Sequence, residues 1–346
     1  MFRRLAGLVS GILTTGVVVL GALTWWVQNS IKQPLAVPAE GVQMTVPRGR
    51  GVSWLADELA TRGWVESALP LKIYARVKGR EAIQAGRYDA LPTDTPAGLL
   101  AKINAGDVVK FSIAFPEGWT VRQWRAALAD AAEITPVETA AEDTTLAAYL
   151  GIAQDIPEGW FAPDTYYYVA GDSDLSIFKR AYQGMLGLIG GAWPSRAEDL
   201  PYTTPYQALI MASIVEKETG LASERAAIAG VFVRRLRKGM LLQTDPTVIY
   251  GLGAAFDGNL KREHLRADNP YNTYRRAGLP PTPIANAGAD ALKAALHPEP
   301  GSALYFVARG DGSHQFSDNL EAHVRAVRQY QIEQRKAGYR SAPQVK

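Results

Sequence analysis

One segment places a glutamate in line with an apolar helical stripe, an environment in which a carboxyl group can do acid–base chemistry. Residues 206–218 form this segment. At about 100° per residue on a helix, Glu218 continues the apolar face that contains Ile214, whereas Glu216 falls on the other side. The helix is predicted to end at Gly220, because glycine accepts the left-handed cap conformation.

Glu218 therefore has two interpretations. As a carboxyl in an apolar cleft it would have a raised pKa, and a protonated carboxylic acid near neutral pH is the general acid that glycoside cleavage needs. Alternatively, the helix simply ends there and Glu218 reaches water or pairs with Arg225 or Arg234. An ion pair between Glu224 and Arg225, or a solvated helix start, is a further expectation for the same region.

Two-carboxylate glycoside hydrolysis remains open as well. Asp245 and Asp164 are the candidates for a second acid beside Glu218. Hydrolysis and its stereochemistry depend on the distance between the two carboxyl groups, which sequence separation does not give.

Other catalytic classes find little support. The 346 residues contain no cysteine, no G-x-S-x-G motif and no phosphate-binding loop. None of the 4 histidines forms an H-x-x-x-H pair, and His314 and His323 are more simply structural than metal-binding. A formal net charge of +3 is too small to indicate nucleic-acid binding. We infer no metal, no cofactor and no nucleic-acid partner.

An aromatic-rich turn follows the second copy of the motif Glu-Gly-Trp, at 158–160. It includes Phe161 and Tyr166. Aromatic rings of this kind can stack on sugar faces, or they can pack together as a hydrophobic corner. The sequence supports both interpretations equally.

The first element is predicted to hold the chain at a membrane. Residues 5–27 carry no charge, and Arg3 and Arg4 precede them. A segment of this length is enough for one helix across a bilayer. We expect a single-pass helix in the inner (plasma) membrane, with residues 33–346 outside the cytoplasm. The alternative is a cleaved signal peptide.

The remaining chain is predicted to have an α+β fold in two parts. Beyond a proline-containing linker, the order strand, helix, helix, strand resembles a small glycan-binding LysM-like module, for which we assign residues 33–110. Residues 111–346 form a larger α+β domain, with the anchor at 1–32. The helices of the larger domain are predicted at 121–132, 175–188, 205–219, 223–238, 287–296 and 319–336, and its strand-like runs at 248–250 and 304–307.

Several blocks of the larger domain together resemble the endolytic murein transglycosylase family (YceG-like). They occur in the family's order across roughly residues 155–330. Thr282 and Ala287 stand where the family commonly has Gly and Pro. The blocks are Ala-Ser-Ile-Val-Glu-Lys-Glu-Thr at 212–219 with Ser-Glu-Arg at 223–225, Leu-Gln-Thr-Asp-Pro-Thr-Val-Ile-Tyr-Gly at 242–251, Tyr-Asn-Thr-Tyr at 271–274, Gly-Leu-Pro-Pro at 278–281, Pro-Ile-Ala-Asn at 283–286, and Leu-Tyr-Phe-Val-Ala at 304–308 with His314 and Phe316.

The resemblance implies a lytic transglycosylase that cleaves the β-1,4 bond between N-acetylmuramic acid and N-acetylglucosamine without water. The muramoyl O6 attacks C1 and leaves a 1,6-anhydro end. The family's catalytic glutamate aligns with Glu218, which would act first as acid and then as base. An intramolecular nucleophile removes the need for a second carboxylate.

The same resemblance suggests substrate contacts and partners. Gln243, Asp245, Asn272 and Tyr274 are candidate contacts to the sugars, or else they support the residues that make those contacts. The expected partners are peptidoglycan strands, the membrane and peptidoglycan-synthesis enzymes. The rival interpretations are a muramidase that uses water, a non-catalytic peptidoglycan-binding anchor, and a membrane-anchored scaffold without glycan contact.

Overall fold

The chain divides into two compact units in a computed structural model, which describes the backbone of residues 2–333 and the side chains of residues 14–333. Unit 1 contains the chain up to Phe111 together with Tyr167–Asp172. Unit 2 contains Ser112–Tyr166 and the described chain from Ser173 onward. The fold is mixed α and β, with helices and three small two-stranded sheets in the described part.

Unit 1 contains six elements before the second sheet begins. They are α1 (Phe2–Ser30), β1 (Val42–Val46), α2 (Val52–Thr61), α3 (Leu69–Lys78), β2 (Gly86–Ala90) and α4 (Pro96–Ala105). The predicted order of strand, helix, helix and strand is therefore present, and β1 pairs antiparallel with β2. The second sheet pairs β3 (Lys110–Ala114) with β4 (Thr165–Val169).

Alternation of side chains explains how β1 joins the core of unit 1. Met44 and Val46 point inward and are buried, while their sequence neighbours are more exposed. Met44 lies opposite Tyr88 of β2, and both pack against apolar residues of the surrounding helices, such as Leu55 and Leu99. Burial of each such side chain stabilises the unit by roughly 1.5–3 kcal/mol.

The predicted membrane-spanning helix is not confirmed among the residues that the structure describes. In the described part of the chain, none of the helices combines the length and the apolar character needed to cross a membrane. The predicted segment, residues 5–27, begins among side chains that lie outside the described residues.

Unit 2 is mainly helical, with one antiparallel hairpin near its end. The hairpin pairs the last two strands, with Ala308 opposite His314. The elements are α5 (Val121–Asp130), α6 (Glu138–Ala141), α7 (Asp143–Leu150), α8 (Asp174–Ala192), α9 (Pro205–Glu218), α10 (Arg225–Arg237), α11 (Asp245–Leu252), α12 (Arg262–Arg266), α13 (Ala289–Leu296), β5 (Tyr305–Ala308), β6 (His314–Ser317) and α14 (Leu320–Val327), followed by a π-helix (Arg328–Glu333).

Helix α9 is the central element of unit 2. It starts with a capping box between Thr204 and Gln207, with Pro205 in its first turn. Every residue from 208 to 215 is buried, because α10 and α13 pack against it. The expected apolar stripe is therefore part of a helix that is buried on all sides, and Ser213 is accommodated by accepting a hydrogen bond from the main-chain N–H of Ile284.

One strand prediction is wrong. The apolar run at residues 248–250 predicts a strand, but these residues lie in α11. The helix begins at Asp245 with Pro246 in its first turn, and these start signals outweigh the β propensity of a short run.

Candidate active site

A cleft of about 1320 Å³ opens in unit 2 and contains Glu218. Polar and aromatic side chains from several elements meet there. Its walls are the start of α5, the end of α9, residues 242–243, part of α11, Tyr274, β5, His314 and one face of α14. A cleft of this size can enclose a few sugar residues, and carbohydrate-sized ligands bind in such concave sites.

The carboxyl of Glu218 sits at the last residue of α9, where the helix ends and Thr219 turns into extended backbone. Burial raises its pKa to about 7. The hydroxyl of Thr244 donates a hydrogen bond to Oε1, which lowers the pKa. The negative charge of Asp245 raises the pKa further, and the Arg235 guanidinium lowers it. Glu218 can therefore hold a proton and release it near neutral pH.

Thr244 is held in place by its own network of hydrogen bonds. Its main-chain N–H donates to Thr273 Oγ1 at 3.1 Å. Thr247 Oγ1 lies 2.9 Å from the same Thr273 oxygen and donates to the carbonyl of Thr244 at 2.7 Å. These three threonines are buried, so the hydroxyl that contacts Glu218 has a fixed position.

Asp245 and Tyr274 form a second polar group in the cleft. The Tyr274 hydroxyl donates to Asp245 Oδ1 at 2.6 Å. Burial raises the pKa of Tyr274, and the hydrogen bond to Asp245 raises it further, so the phenol stays protonated near neutral pH. Both residues line the cleft with Glu218.

Gln243 also lines the cleft and adopts an unusual backbone conformation. Its φ is +54°, a left-handed value that costs a non-glycine residue about 1 kcal/mol or more. Its main-chain N–H donates to Thr273 O at 3.1 Å, and its Oε1 accepts from Arg235 Nη1 at 3.3 Å. The surrounding hydrogen bonds therefore hold the strained residue at the cleft wall.

Arg235 of α10 is the buried cation of the cleft, and sequence reasoning did not identify it. Its guanidinium donates to the carbonyls of Leu304, Leu241 and Leu242 at 2.7–3.1 Å. It also lies 5.0 Å from the centre of the Tyr305 ring. Because these contacts come from β5 and from the segment before α11, Arg235 fixes two walls of the cleft.

Asn272 has a different position from the other predicted contacts. It is fully buried and does not line the cleft. Its side-chain amide donates to the carbonyls of His264, Leu265 and Ala267, and its Oδ1 accepts from the Tyr274 main-chain N–H. This placement favours the supporting role, since Asn272 holds the turn that presents Tyr274.

Glu158 is a second carboxyl on the cleft wall that the sequence did not point to. It is buried, and its oxygens accept from the Val121 main-chain N–H, the Tyr250 hydroxyl and the Asn286 amide at 3.1–3.3 Å. Burial raises its pKa to about 8, although the Val121 and Tyr250 bonds oppose the rise. The repeated Glu-Gly-Trp motif was the available signal, but it was read only for its aromatic residues.

The aromatic turn after Glu158 packs into the core of unit 2. Phe161 is fully buried beside Trp124 and Phe178. Trp160 stacks on Tyr206, with ring centres 5.8 Å apart. None of these rings lines the cleft, so the hydrophobic-corner interpretation describes their packing. Asp164 also stays outside the cleft, so of the two candidate second acids Asp245 is the one that lines it with Glu218.

The expected ion pair between Glu224 and Arg225 does not form. Arg225 instead contacts Glu117, Glu216 and Asp290 at 3.3–3.4 Å. Glu224 turns to His314, because Arg225 starts α10 and points towards α9 and α13 while Glu224 ends the preceding turn. Neither Arg225 nor Arg234 pairs with Glu218, whose hydrogen-bond partner is Thr244.

Known proteins resemble this chain over most of its length. A model of the YceG-like family matches residues 44–329. An endolytic murein transglycosylase of Bacillus subtilis (strain 168) is 32% identical over 306 residues, which cover 84% of this chain and 84% of that protein. One from Streptococcus pneumoniae serotype 2 (strain D39) is 25% identical over 326 residues, which cover 84% of this chain and 58% of that protein.

A solved structure agrees with these sequence relationships. The crystal structure of a YceG-like protein from Listeria monocytogenes matches with a TM-score of 0.53 and 27% identity, covering 84% of this chain and 100% of that one. Because the family model spans well over half of the sequence and a relative above 30% identity covers most of it, this chain belongs to the YceG-like family.

Proposed function

We propose that this chain is an endolytic lytic transglycosylase that cleaves the glycan strands of peptidoglycan. The observation that carries the proposal is the carboxyl of Glu218, which lies in a large cleft, has a pKa raised to about 7 and is oriented by the hydroxyl of Thr244. The names of the related proteins from B. subtilis and S. pneumoniae supply the substrate class.

In the proposed reaction, Glu218 acts twice. The protonated carboxyl gives its proton to the oxygen of the β-1,4 bond between N-acetylmuramic acid and N-acetylglucosamine, and that bond breaks. The muramoyl O6 hydroxyl forms a bond to C1, and its proton passes to the carboxylate of Glu218. The acid is regenerated, no water is consumed, and one product ends in a 1,6-anhydro ring.

The remaining cleft residues would hold the strand. Asp245, Tyr274 and Gln243 present carboxylate, phenol and amide groups that can bond to sugar hydroxyls and N-acetyl groups. Tyr274 stays protonated and can therefore donate to a sugar oxygen. Arg235 would stabilise Glu218 as a carboxylate after the first proton transfer.

A hydrolytic muramidase is the second candidate, and Asp245 is the observation that favours it. This carboxylate lies on the cleft wall and interacts electrostatically with Glu218, as a second acid would. In that reaction Asp245 would activate a water molecule, and the products would end in a free reducing sugar. A non-catalytic binding anchor would give no products.

The chain's location and domain roles are part of the same proposal. We propose a single-pass anchor at residues 1–32 in the inner (plasma) membrane, a LysM-like glycan-binding unit at 33–110 and an extracytoplasmic YceG-like catalytic domain at 111–346. The uncharged run at 5–27 supports the anchor. Such a placement would bring the cleft to newly made strands, and to the enzymes that synthesise them.

Mass spectrometry of the products tests the function directly. The full-length chain and its Glu218→Gln variant are incubated with purified sacculi, and Glu263→Gln, which alters a carboxyl outside the cleft, is the matched control. We expect anhydro-muramoyl ends from the wild type and the control only. Free reducing ends would establish the hydrolase, and no products from folded wild-type protein would leave the binding anchor.

A further inference from the structure

Glu224 and His314 form a buried pair at the wall of the cleft. The His314 ring nitrogen Nδ1 lies 2.7 Å from Glu224 Oε2, and the His314 main-chain N–H donates to Oε1 at 2.9 Å. The two side chains are 4% and 16% exposed. Both carboxylate oxygens therefore bind the same residue, which fixes the ring in position and orientation.

This contact also fixes which ring nitrogen carries the hydrogen. A carboxylate accepts hydrogen bonds and does not donate them, so Nδ1 must be the protonated nitrogen. In the neutral ring, Nε2 is then a hydrogen-bond acceptor. Among the described residues, nothing donates to Nε2, so the neutral ring has one acceptor left over.

The position of the pair connects this acceptor to the catalytic helix. Glu224 ends the short turn Ala222–Glu224, which is separated by three residues from Glu218, the last residue of α9. His314 is the first residue of β6, lies edge-on to the Phe306 ring and lines the cleft. The carboxylate therefore ties the hairpin wall of the cleft to the chain that carries the acid.

We propose that His314 is a substrate-positioning residue whose Nε2 accepts a hydrogen bond from a donor of the bound glycan strand. The donor is a sugar hydroxyl or the N–H of an acetamido group, since these are the hydrogen-bond donors of a peptide-free glycan strand, whose lactyl carboxylates only accept. Glu224 acts through His314 by fixing the ring. The identity of the ligand as a glycan strand rests on the proposed function.

Two substitutions of His314 separate positioning from a purely structural role. In His314→Asn, the amide nitrogen takes the place of Nδ1 and can keep the bond to Glu224, but nothing replaces Nε2. In His314→Gln, the amide reaches the place of Nε2 and can still accept from a sugar. We expect His314→Asn to raise KM about 5- to 10-fold, the factor of one hydrogen bond, and His314→Gln to stay closer to the wild type.

The opposite order would overturn the proposal. If the pair only holds the hairpin, His314→Asn should behave like the wild type and His314→Gln should be the damaged protein. Equal KM values for both variants and the wild type would also overturn it. Thermal unfolding of each variant shows whether a change in KM comes with a loss of fold.

The same comparison is made by binding, so that it does not depend on cleavage. His314→Asn and His314→Gln are each combined with Glu218→Gln in the full-length chain, and the Kd for purified peptide-free glycan strands is measured. The Asn combination should bind about 5- to 10-fold more weakly than Glu218→Gln alone. If wild-type protein fails to cleave but this order of Kd holds, the proposed function has failed while the inference stands.

A third substitution tests the orienting role of Glu224. In Glu224→Gln the side-chain amide can donate to Nδ1, which moves the ring hydrogen to Nε2 and turns the acceptor into a donor. We expect KM to rise as in His314→Asn, with kcat changed much less. An unchanged KM, together with ¹⁵N shifts that show the moved hydrogen, would overturn the proposal.

Strands acetylated at the muramoyl O6 test one of the candidate donors. Acetylation removes the C6 hydroxyl of the muramoyl residue but leaves the other hydroxyls and the acetamido N–H. If the muramoyl C6 hydroxyl is the donor, His314→Asn should cost no further affinity on acetylated strands in the Glu218→Gln background. If another hydroxyl or the acetamido group is the donor, the two losses should add.

Discussion

Two carboxyls on the wall of one cleft differ in what their neighbours do to the proton. Glu158 accepts hydrogen bonds from three donors, and burial raises its pKa to about 8. Glu218 is less buried, accepts a hydrogen bond from Thr244 as its one partner among the described residues, and has a pKa raised to about 7. The lower pKa and the free oxygen suit Glu218 to proton transfer, and the satisfied oxygens suit Glu158 to holding structure.

The alkaline limb of the pH profile should report the protonation of Glu218. A general acid must be protonated, so kcat/KM should fall as the pH rises through about 7. Thr244→Val removes the bond that stabilises the carboxylate, so the limb should move to higher pH by about one unit. Asp245→Asn removes a negative neighbour, so the limb should move to lower pH.

The opposite signs of these two shifts are the critical result. Thr244 makes no side-chain cap bond to α11, so Thr244→Val removes no helix cap. Shifts in the same direction for both variants, or a limb that neither variant moves, would mean that another group controls the alkaline side. The pH dependence of kcat/KM on soluble glycan strands is the measurement.

Glu158 should make the fold less stable as the pH rises. Its pKa is raised from 4.5 to about 8, so between these values the folded chain holds a proton that the unfolded chain has lost. The free energy of unfolding therefore declines with pH across that window, by about 1 kcal/mol between pH 7 and 8. Glu158→Gln has no carboxyl that titrates at this position, so its free energy of unfolding should decline less with pH.

Urea unfolding at several pH values measures this difference. The comparison between wild type and Glu158→Gln isolates Glu158, because all other titrating groups are common to both proteins. Parallel stability curves for the two proteins between pH 5 and 8 would show that Glu158 is ionised throughout. The carboxylate is the form that its three hydrogen-bond donors stabilise.

The sequence pointed to Glu218 and, through the family resemblance, to Asp245 and Tyr274, but not to Thr244 or Glu158. Glu218 could be found because it continues a helical stripe, which is a local pattern. Thr244 lies 26 positions away and Tyr250 is 92 positions from Glu158, so no periodicity connects these partners. Their contacts depend on how the helices pack, which a single sequence does not specify.

At the scale of elements, Arg225 joins three helices around the acid. It starts α10 and contacts Glu216 of α9 and Asp290 of α13. Glu216 is 6% exposed and also accepts from the Gly288 main-chain N–H at 3.0 Å. Glu216, which the helical pattern places on the other side of α9 from Glu218, is therefore the buried carboxylate of an ion-pair cluster. This cluster fixes the last turn of α9.

Removal of the cation should be far more costly than removal of the exposed partner. Arg225→Met removes the cation that forms an ion pair with the buried Glu216, and we expect a loss of about 3–5 kcal/mol in the free energy of unfolding. Asp290 is 69% exposed, so Asp290→Asn should cost less than about 1 kcal/mol. Denaturant unfolding measures both, and similar losses for the two variants would contradict the role of burial.

Helix ends were predicted well where local signals exist. The predicted helix at 205–219 matches Pro205–Glu218, which has a capping box, and the one at 121–132 matches Val121–Asp130, which has another. The short helices α6, α7 and α12 were missed. Four to eight residues offer too little periodicity to be recognised, and tertiary packing stabilises such helices more than propensity does.

At the scale of the whole molecule, the sequence suggested two bodies that follow one another along the chain. The structure groups Tyr167–Asp172 with the first unit, although these residues are flanked by the second. Boundaries drawn from the sequence assume that each unit is one continuous segment, so they cannot assign a short later segment to the first unit. Strand pairing between residues far apart in the sequence leaves no local signal. The order of elements within each unit is better encoded, since strand alternation and helix periodicity are local.

The proposed endolytic activity predicts a change in the length of glycan strands in cells. An enzyme that cuts within strands near the membrane shortens them as they are made, so deletion of the gene should leave a longer mean strand. Wild type and Glu263→Gln should restore the shorter length, whereas Glu218→Gln should not. Chromatography of strands after removal of the peptides gives the distribution, with immunoblots to confirm equal amounts of each protein. Restoration by Glu218→Gln would mean that the chain limits strand length by binding, since a carboxamide cannot give the leaving oxygen its proton.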